Sequence, residues 1–254
     1  MRSTIKLTIL LFLTSTLIFT GCKKTTAPTA MLLLHLHTDI DTNEVSPGTS
    51  YPNWNHKNIQ LTRAQYYLSG IKLIKTDNST VSVPGTVLVT WGTEIYMAGN
   101  IPVGSYKSIS FNVGVQPSDD HSDPSTHTGA DALAVQTPSM HFATTTDGYI
   151  FMAVEGLIDS SAAGTGTPNK AFTYHIGTDP FLRTVTMGDH TAAPYNAAFV
   201  ANANGSITVH MIADYDRLFN GIDMSTNNIS NPSDWTWLAT SLADSIPHMF
   251  RYEE

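Results

Sequence analysis

Between residues 106 and 115 hydrophobic and polar positions alternate: Ile109, Phe111, Val113 and Val115 are apolar, with Ser108, Ser110, Asn112 and Gly114 between them. A period of two marks a strand with one buried and one wet face, because successive side chains point to opposite sides of a sheet. Apolar runs bounded by turn formers predict further strands at residues 32–37, 61–74, 87–91, 149–157, 172–176, 182–187 and 207–212. The separators carry turn chemistry, as at Asp77-Asn78-Ser79, Pro84-Gly85, Pro102-Val103-Gly104 and Asn202-Ala203-Asn204-Gly205. Short helical turns are predicted at 214–219 and 241–246, capped by Asp214 and Ser241. Together these predict an all-β fold, a single antiparallel β-sandwich with long loops and a few short helical turns.

The first 22 residues follow a different pattern. Arg2 and Lys6 precede an apolar run from Leu7 to Phe19, and Thr20-Gly21 places small residues before Cys22. This is the pattern of an export signal, and the run is short of the roughly 20 apolar residues a membrane span needs. Cys22 resembles the lipid-attachment cysteine of bacterial lipoproteins, although Phe19 stands where an aliphatic residue is usual. The expected plan is a signal peptide over 1–21, a lipidated tether over 22–30 and one sandwich domain over 31–254, since no long linker or repeat interrupts the rest. A lipid anchor implies attachment to a membrane. Lys23-Lys24 stands where an inner-membrane retention aspartate would be, so the outer membrane is the expected location, on its periplasmic or surface face.

Composition narrows the function. Loss of the leader leaves 11 basic against 21 acidic residues, and no basic run remains to neutralise phosphates, which argues against nucleic acid as a partner. A single cysteine excludes an internal disulfide, a Cys-rich zinc site and an iron–sulfur cluster. The 10 histidines become the candidate ligands. The chain has no Gly-x-Ser-x-Gly elbow, no His-Glu-x-x-His and no phosphate loop, so a catalytic reading finds no motif to rest on.

Several histidine placements carry chemical interest. His35 and His37 are two apart on a predicted strand, so both rings leave the same face, and paired neutral imidazoles suit copper, zinc or iron. The alternative is an edge strand with a polar face. Trp54-Asn55-His56 lies in a Pro/Asn-rich loop, either as a functional loop or as a tryptophan plugging the sandwich end beside an exposed histidine. His121 and His127 share a polar loop with Asp119, Asp120 and Asp123, a mixture that suits zinc, or calcium through the aspartates, or plain solvation. His141 follows Met140, whose thioether is a soft donor or simply core filler. His175 and His210 read as strand histidines satisfied by hydrogen bonds.

The order of segments resembles a known family. The run 61–73 with Gln65-Tyr66-Tyr67-Leu68-Ser69-Gly70, the run 101–115 with Ile101-Pro102-Val103-Gly104-Ser105-Tyr106, the segment Gly148-Tyr149-Ile150-Phe151-Met152-Ala153-Val154-Glu155-Gly156, then Tyr174-His175-Ile176-Gly177 and Val209-His210-Met211-Ile212-Ala213-Asp214 are similar to the MbnP-like family of copper-binding proteins. The resemblance implies a secreted or surface-attached β-sandwich that binds copper through histidines and a tryptophan oxidised to kynurenine. It also implies, in some members, a di-haem peroxidase partner of the MbnH type that performs the oxidation. Trp54-Asn55-His56 is similar to the family's Trp-x-His arrangement. Many relatives carry Met-x-Trp-x-Trp before Gly-Tyr; this chain has Met140-His141-Phe142-Ala143-Thr144, without the tryptophans and with an extra histidine.

The resulting expectation is a lipid-anchored copper-binding protein for copper acquisition, storage or handover, not an enzyme. Its expected ligands are His35, His37 and His56, with His121, His127 and His141 in reserve, Trp54 as the oxidisable residue and Cys22 as the lipid attachment point. Two other readings remain. A surface adhesion or glycan-binding module would expose an aromatic patch including Trp235 and Trp237, and a zinc-dependent hydrolase would add Asp39 or Asp120 to the histidines.

Overall fold

A computed structural model describes residues 27–230 and 237–253. The leader, Cys22 and Trp235 lie outside the described residues. The described strands are β1 (Thr29–Ile40), β2 (Asn43–Glu44), β3 (Tyr51–Pro52), β4 (Asn58–Lys75), β5 (Thr80–Ser82), β6 (Val87–Thr90), β7 (Ile95–Pro102), β8 (Gly104–Val113), β9 (Ile150–Ile158), β10 (Lys170–Gly177), β11 (Arg183–Thr186), β12 (Phe199–Ala201), β13 (Ser206–Asp214), β14 (Ile229–Ser230) and β15 (Phe250–Tyr252). Among the described residues helical structure is confined to α1 (Pro117–Asp120), α2 (Tyr215–Leu218), α3 (Trp237–Ser245) and three short 3-10 turns. All eight predicted strands are present. β1 starts at Thr29, so Thr29 and Ala30 belong to the sandwich and not to the tether.

The first sheet runs β15-β13-β1-β2, with β7 also paired to β1. The second runs β11-β8-β4-β9-β10-β14, with β3, β5, β6 and β12 as short additions. The sheets are mixed and not strictly antiparallel: β1 pairs β13 in parallel, and β10 pairs β14 in parallel. The physical reason is chain distance. Hairpins force neighbours to run antiparallel, whereas β1 and β13 are joined by most of the domain and meet free of that constraint. For the same reason β1 is not an edge strand; it lies between β13 on one side and β7 and β2 on the other.

The two sheets meet across a core that includes Leu32, Leu34 and Leu36 of β1, Tyr66 and Leu68 of β4, Ile109 and Phe111 of β8, and Val209 and Met211 of β13. β4 spans both halves of its sheet, pairing first with β9 and later with β8. Gly70 sits at that changeover with φ +55, a backbone conformation that favours glycine, and a Cβ there would lie 2.8 Å from side-chain nitrogens of both Asn112 and Gln116 and would have to displace them. On the outer side of the second sheet, Tyr67, Tyr149, Phe151 and Ala153 form a second cluster with Val115, Leu133 and Met140. The segment between β8 and β9 covers them, which is why residues 150–154 of β9 are buried on both faces.

The helical turns correct one expectation. Asp214 caps α2 as predicted, its side chain accepting from the Asp216 N–H. The final helix instead begins by Trp237, so Ser241 is interior to it and no cap.

Candidate metal centre

β1 sends Leu32, Leu34 and Leu36 into the core, and its alternate residues His35 and His37 therefore emerge on the opposite face of the first sheet. β13 does the same with Ile207, Val209 and Met211 inside and His210 outside. The parallel register places His35 directly beside His210. Three imidazoles thus converge from two adjacent strands. The ring centroids of His35 and His37 are 4.4 Å apart, those of His35 and His210 4.7 Å, and the two Nδ1 atoms of His35 and His210 approach to 2.7 Å.

Three carboxylates surround the rings. Glu253, just after β15, places Oε2 3.3 Å from Nδ1 of His210 and 3.6 Å from Nδ1 of His35, and Oε1 3.5 Å from Nε2 of His37. Glu94, just before β7, lies 3.3 Å from Nε2 of His35, and Glu44 of β2 lies 3.6 Å from Nδ1 of His37. Neutral imidazoles backed by carboxylates are an established way to hold a d-block ion, with the acids orienting rings or binding directly.

The residues fit such an ion on two counts. Nε2 of His37 is shut off from solvent and makes no hydrogen bond, a costly state that a bound cation relieves. The 2.7 Å contact between His35 and His210 needs one N–H facing one lone pair, and a cation replaces that shared hydrogen. Two open depressions reach the cluster. One of about 310 Å³ is lined by His37, Glu44, Glu94 and Trp91; another of about 520 Å³ is lined by His35, His190, Phe199, His210 and Glu253.

The other predicted residues lie elsewhere. Trp54 and His56 are exposed in the loop before β4; the Trp54 N–H donates to Asp216, and His56 takes a positive φ of 62. No hydrogen bond, ion pair or ring contact recorded for the described residues joins either to the three-histidine cluster. His121 and His127 take separate partners: Nδ1 of His121 donates to the Thr145 carbonyl at 2.9 Å, while His127 bridges Asp131 and Ser122. The Thr145 hydrogen bond and then the flanking Asp120 and Asp179 carboxylates raise the His121 pKa. His141 packs its ring edgewise on Tyr149, with Nε2 buried and without a hydrogen bond. His175 binds Glu155 at 2.9 Å, and the same carboxylate holds Arg63. Of the aromatic residues expected on an adhesive surface, Trp237 is exposed. Asp39 is buried and paired with Arg251; burial raises its pKa and Arg251 works against that rise. Asp120 is remote from the cluster, on the second sheet's side of the sandwich.

Sequence reasoning missed His210, Glu94, Glu253 and Trp91. For His210 a signal existed, since Ile207, Val209 and Met211 alternate with Thr208 and His210 and so put the ring on a wet face. Nothing local linked that face to β1. Glu94 and Glu253 carry no signal, because they flank strands that come together only in the folded chain.

Among the described residues no helix is long and apolar enough to cross a membrane. The family model described as MbnP matches residues 29–234. Among solved structures the chain is similar to MbnP from Methylosinus trichosporium, at 14% identity over 80% of this chain and 81% of that one, with a TM-score of 0.56. At that identity the likeness is one of fold. No curated protein matches the chain.

Proposed function

The chain belongs to the MbnP family, and from that premise we propose that it is a lipid-anchored copper-binding protein whose ion is held by His35, His37 and His210. The observation that carries this reading is the convergence of the three imidazoles, with Nε2 of His37 buried and making no hydrogen bond. The donor set by itself suits several d-block ions; the choice of copper rests on the family resemblance. Glu253 and Glu94 orient the rings and lower the cost of bringing a cation to the surface. The protein binds copper without turning over a substrate and serves in its acquisition, storage or handover, at the outer membrane through Cys22.

The indole that supports the kynurenine reading best is Trp91, because it lines a depression together with His37, Glu44 and Glu94. Its Nε1–H donates to the Val45 carbonyl at 3.2 Å, which fixes the ring there. Trp54 remains the candidate favoured by its Trp-x-His spacing. A di-haem peroxidase of the MbnH type is the partner that this oxidation would require.

Metal analysis of the purified protein, isolated from an exporting host grown with copper, tests the reading. One equivalent of copper, lost on replacing His35 and His37 by Ala, supports it. Zinc alone, or no metal at all, contradicts it.

A further inference from the structure

We infer that the chain carries a second metal site, distinct from the histidine cluster, in which Asp120, His121 and Asp179 bind a zinc-class divalent ion on the outer side of the second sheet. The ligand atoms all lie within 4.8 Å of one another. They come from two parts of the fold: Asp120 ends α1 and His121 follows it, while Asp179 opens the 3-10 turn after β10.

The first observation is a buried carboxylate oxygen without a hydrogen bond. The Asp120 side chain is 0% exposed. Its Oδ1 accepts the Tyr149 N–H at 2.8 Å, but Oδ2 is closed to solvent and receives no hydrogen bond. A carboxylate oxygen left bare in the interior is expensive, and the usual remedies are a donor or a cation. The space around it is closed on one side by Gly148, where a Cβ would lie 2.6 Å from Oδ1.

The second observation is the orientation of His121. Nδ1 donates to the Thr145 carbonyl, which turns Nε2 toward the carboxylates. Nε2 lies 3.8 Å from Oδ2 of Asp120 and 3.5 Å from Oδ2 of Asp179. A divalent cation can take the place of the proton that Nε2 would otherwise share with these oxygens. An imidazole anchored by a backbone carbonyl through one nitrogen, with the other turned toward acidic oxygens, is the arrangement that metal-bound histidines adopt. In a tetrahedral zinc shell with bonds of about 2.0–2.1 Å, ligand atoms stand about 3.3–3.5 Å apart, close to the distances seen here. The donor set favours zinc over calcium, which takes six to eight oxygens and does not use imidazole. His121 and Asp179 are each half-exposed, which leaves the fourth position to water.

An ion there would tie the segment covering Tyr67 and Phe151 to the turn after β10, and so hold the cover on the second sheet. The role is structural and independent of the copper reading.

Zinc titration by calorimetry of the His35→Ala/His37→Ala protein tests the inference, since two ligands of the other cluster are then gone. One equivalent of zinc should bind and should raise the thermal midpoint. Adding Asp179→Asn, at an exposed position, should weaken zinc at least tenfold, and Asp120→Asn should do the same while keeping an oxygen for the Tyr149 N–H. Asp179→Asn alone should leave copper binding unchanged, which shows that the variant is folded and separates this site from the copper centre. Absence of zinc binding in the double variant, equal affinity after Asp179→Asn, or calcium binding as tightly as zinc would overturn the inference.

Discussion

The Nδ1 atoms of His35 and His210 lie 2.7 Å apart although 175 residues separate them in sequence, and the contact exists because β1 and β13 run parallel in register. The two imidazoles form one unit. Replacing His210 by Ala is therefore expected to weaken copper at least tenfold, or about 1.4 kcal/mol, with little cost to folding because its side chain is half-exposed. A competition titration against a Cu(I) chelator reads this directly, and an unchanged affinity would remove His210 from the site.

The His35→Ala/His37→Ala protein should lose affinity by at least tenfold as well, whereas His175→Ala should not. His175 stands on β10 in the other sheet, engaged with Glu155. A comparable loss at His175 would mean that the metal sits on the second sheet.

The indole reading is checked by peptide mapping of protein produced with its peroxidase partner. Conversion of tryptophan to kynurenine is expected at Trp91, which lines the depression beside His37. Conversion at Trp54, exposed beside Asp216, would place the oxidation in the loop before β4 and away from the three histidines.

Acid should weaken the fold through Glu155. Burial alone would push its carboxyl up, but hydrogen bonds from His175 and Arg63 outweigh that and hold it below the usual carboxylate range. A carboxylate whose pKa is depressed by folding contributes stability above its unfolded pKa, and that contribution is lost as pH falls through the folded value. Glu155→Gln should thus cost roughly 1–2 kcal/mol at pH 7, the lower part of the range for charged hydrogen bonds because the group is about a third exposed. In urea unfolding the gap between wild type and variant should close toward pH 3. A gap that stays constant with pH would show that the Arg63 and His175 contacts do not depend on the charge of Glu155.

How much of this was legible in the chain depends on how local each feature is. The alternation at Ile109, Phe111 and Val113 and the apolar run at residues 149–157 announce β8 and β9 without any tertiary knowledge. β7 escaped because Gly99 and Asn100 interrupt its pattern and because Met97 faces solvent. The i, i+2 pair His35 and His37 was legible from strand geometry alone. Its third member was not, since no local rule states that β13 returns parallel to β1 and sets His210 at its side. The bare oxygen of Asp120 was equally hidden: it depends on the Tyr149 N–H, Gly148 and Asp179 meeting around it, and the sequence shows there only a polar loop.

The copper centre requires that the three outward histidines of β1 and β13 hold the ion together. Copper titration of the purified wild-type protein beside the His35→Ala/His37→Ala/His210→Ala variant, with circular dichroism to show that both are folded, decides it. One equivalent bound by wild type and none retained at the same free copper by the variant is the predicted result; a folded variant that still binds one equivalent with wild-type affinity would contradict it.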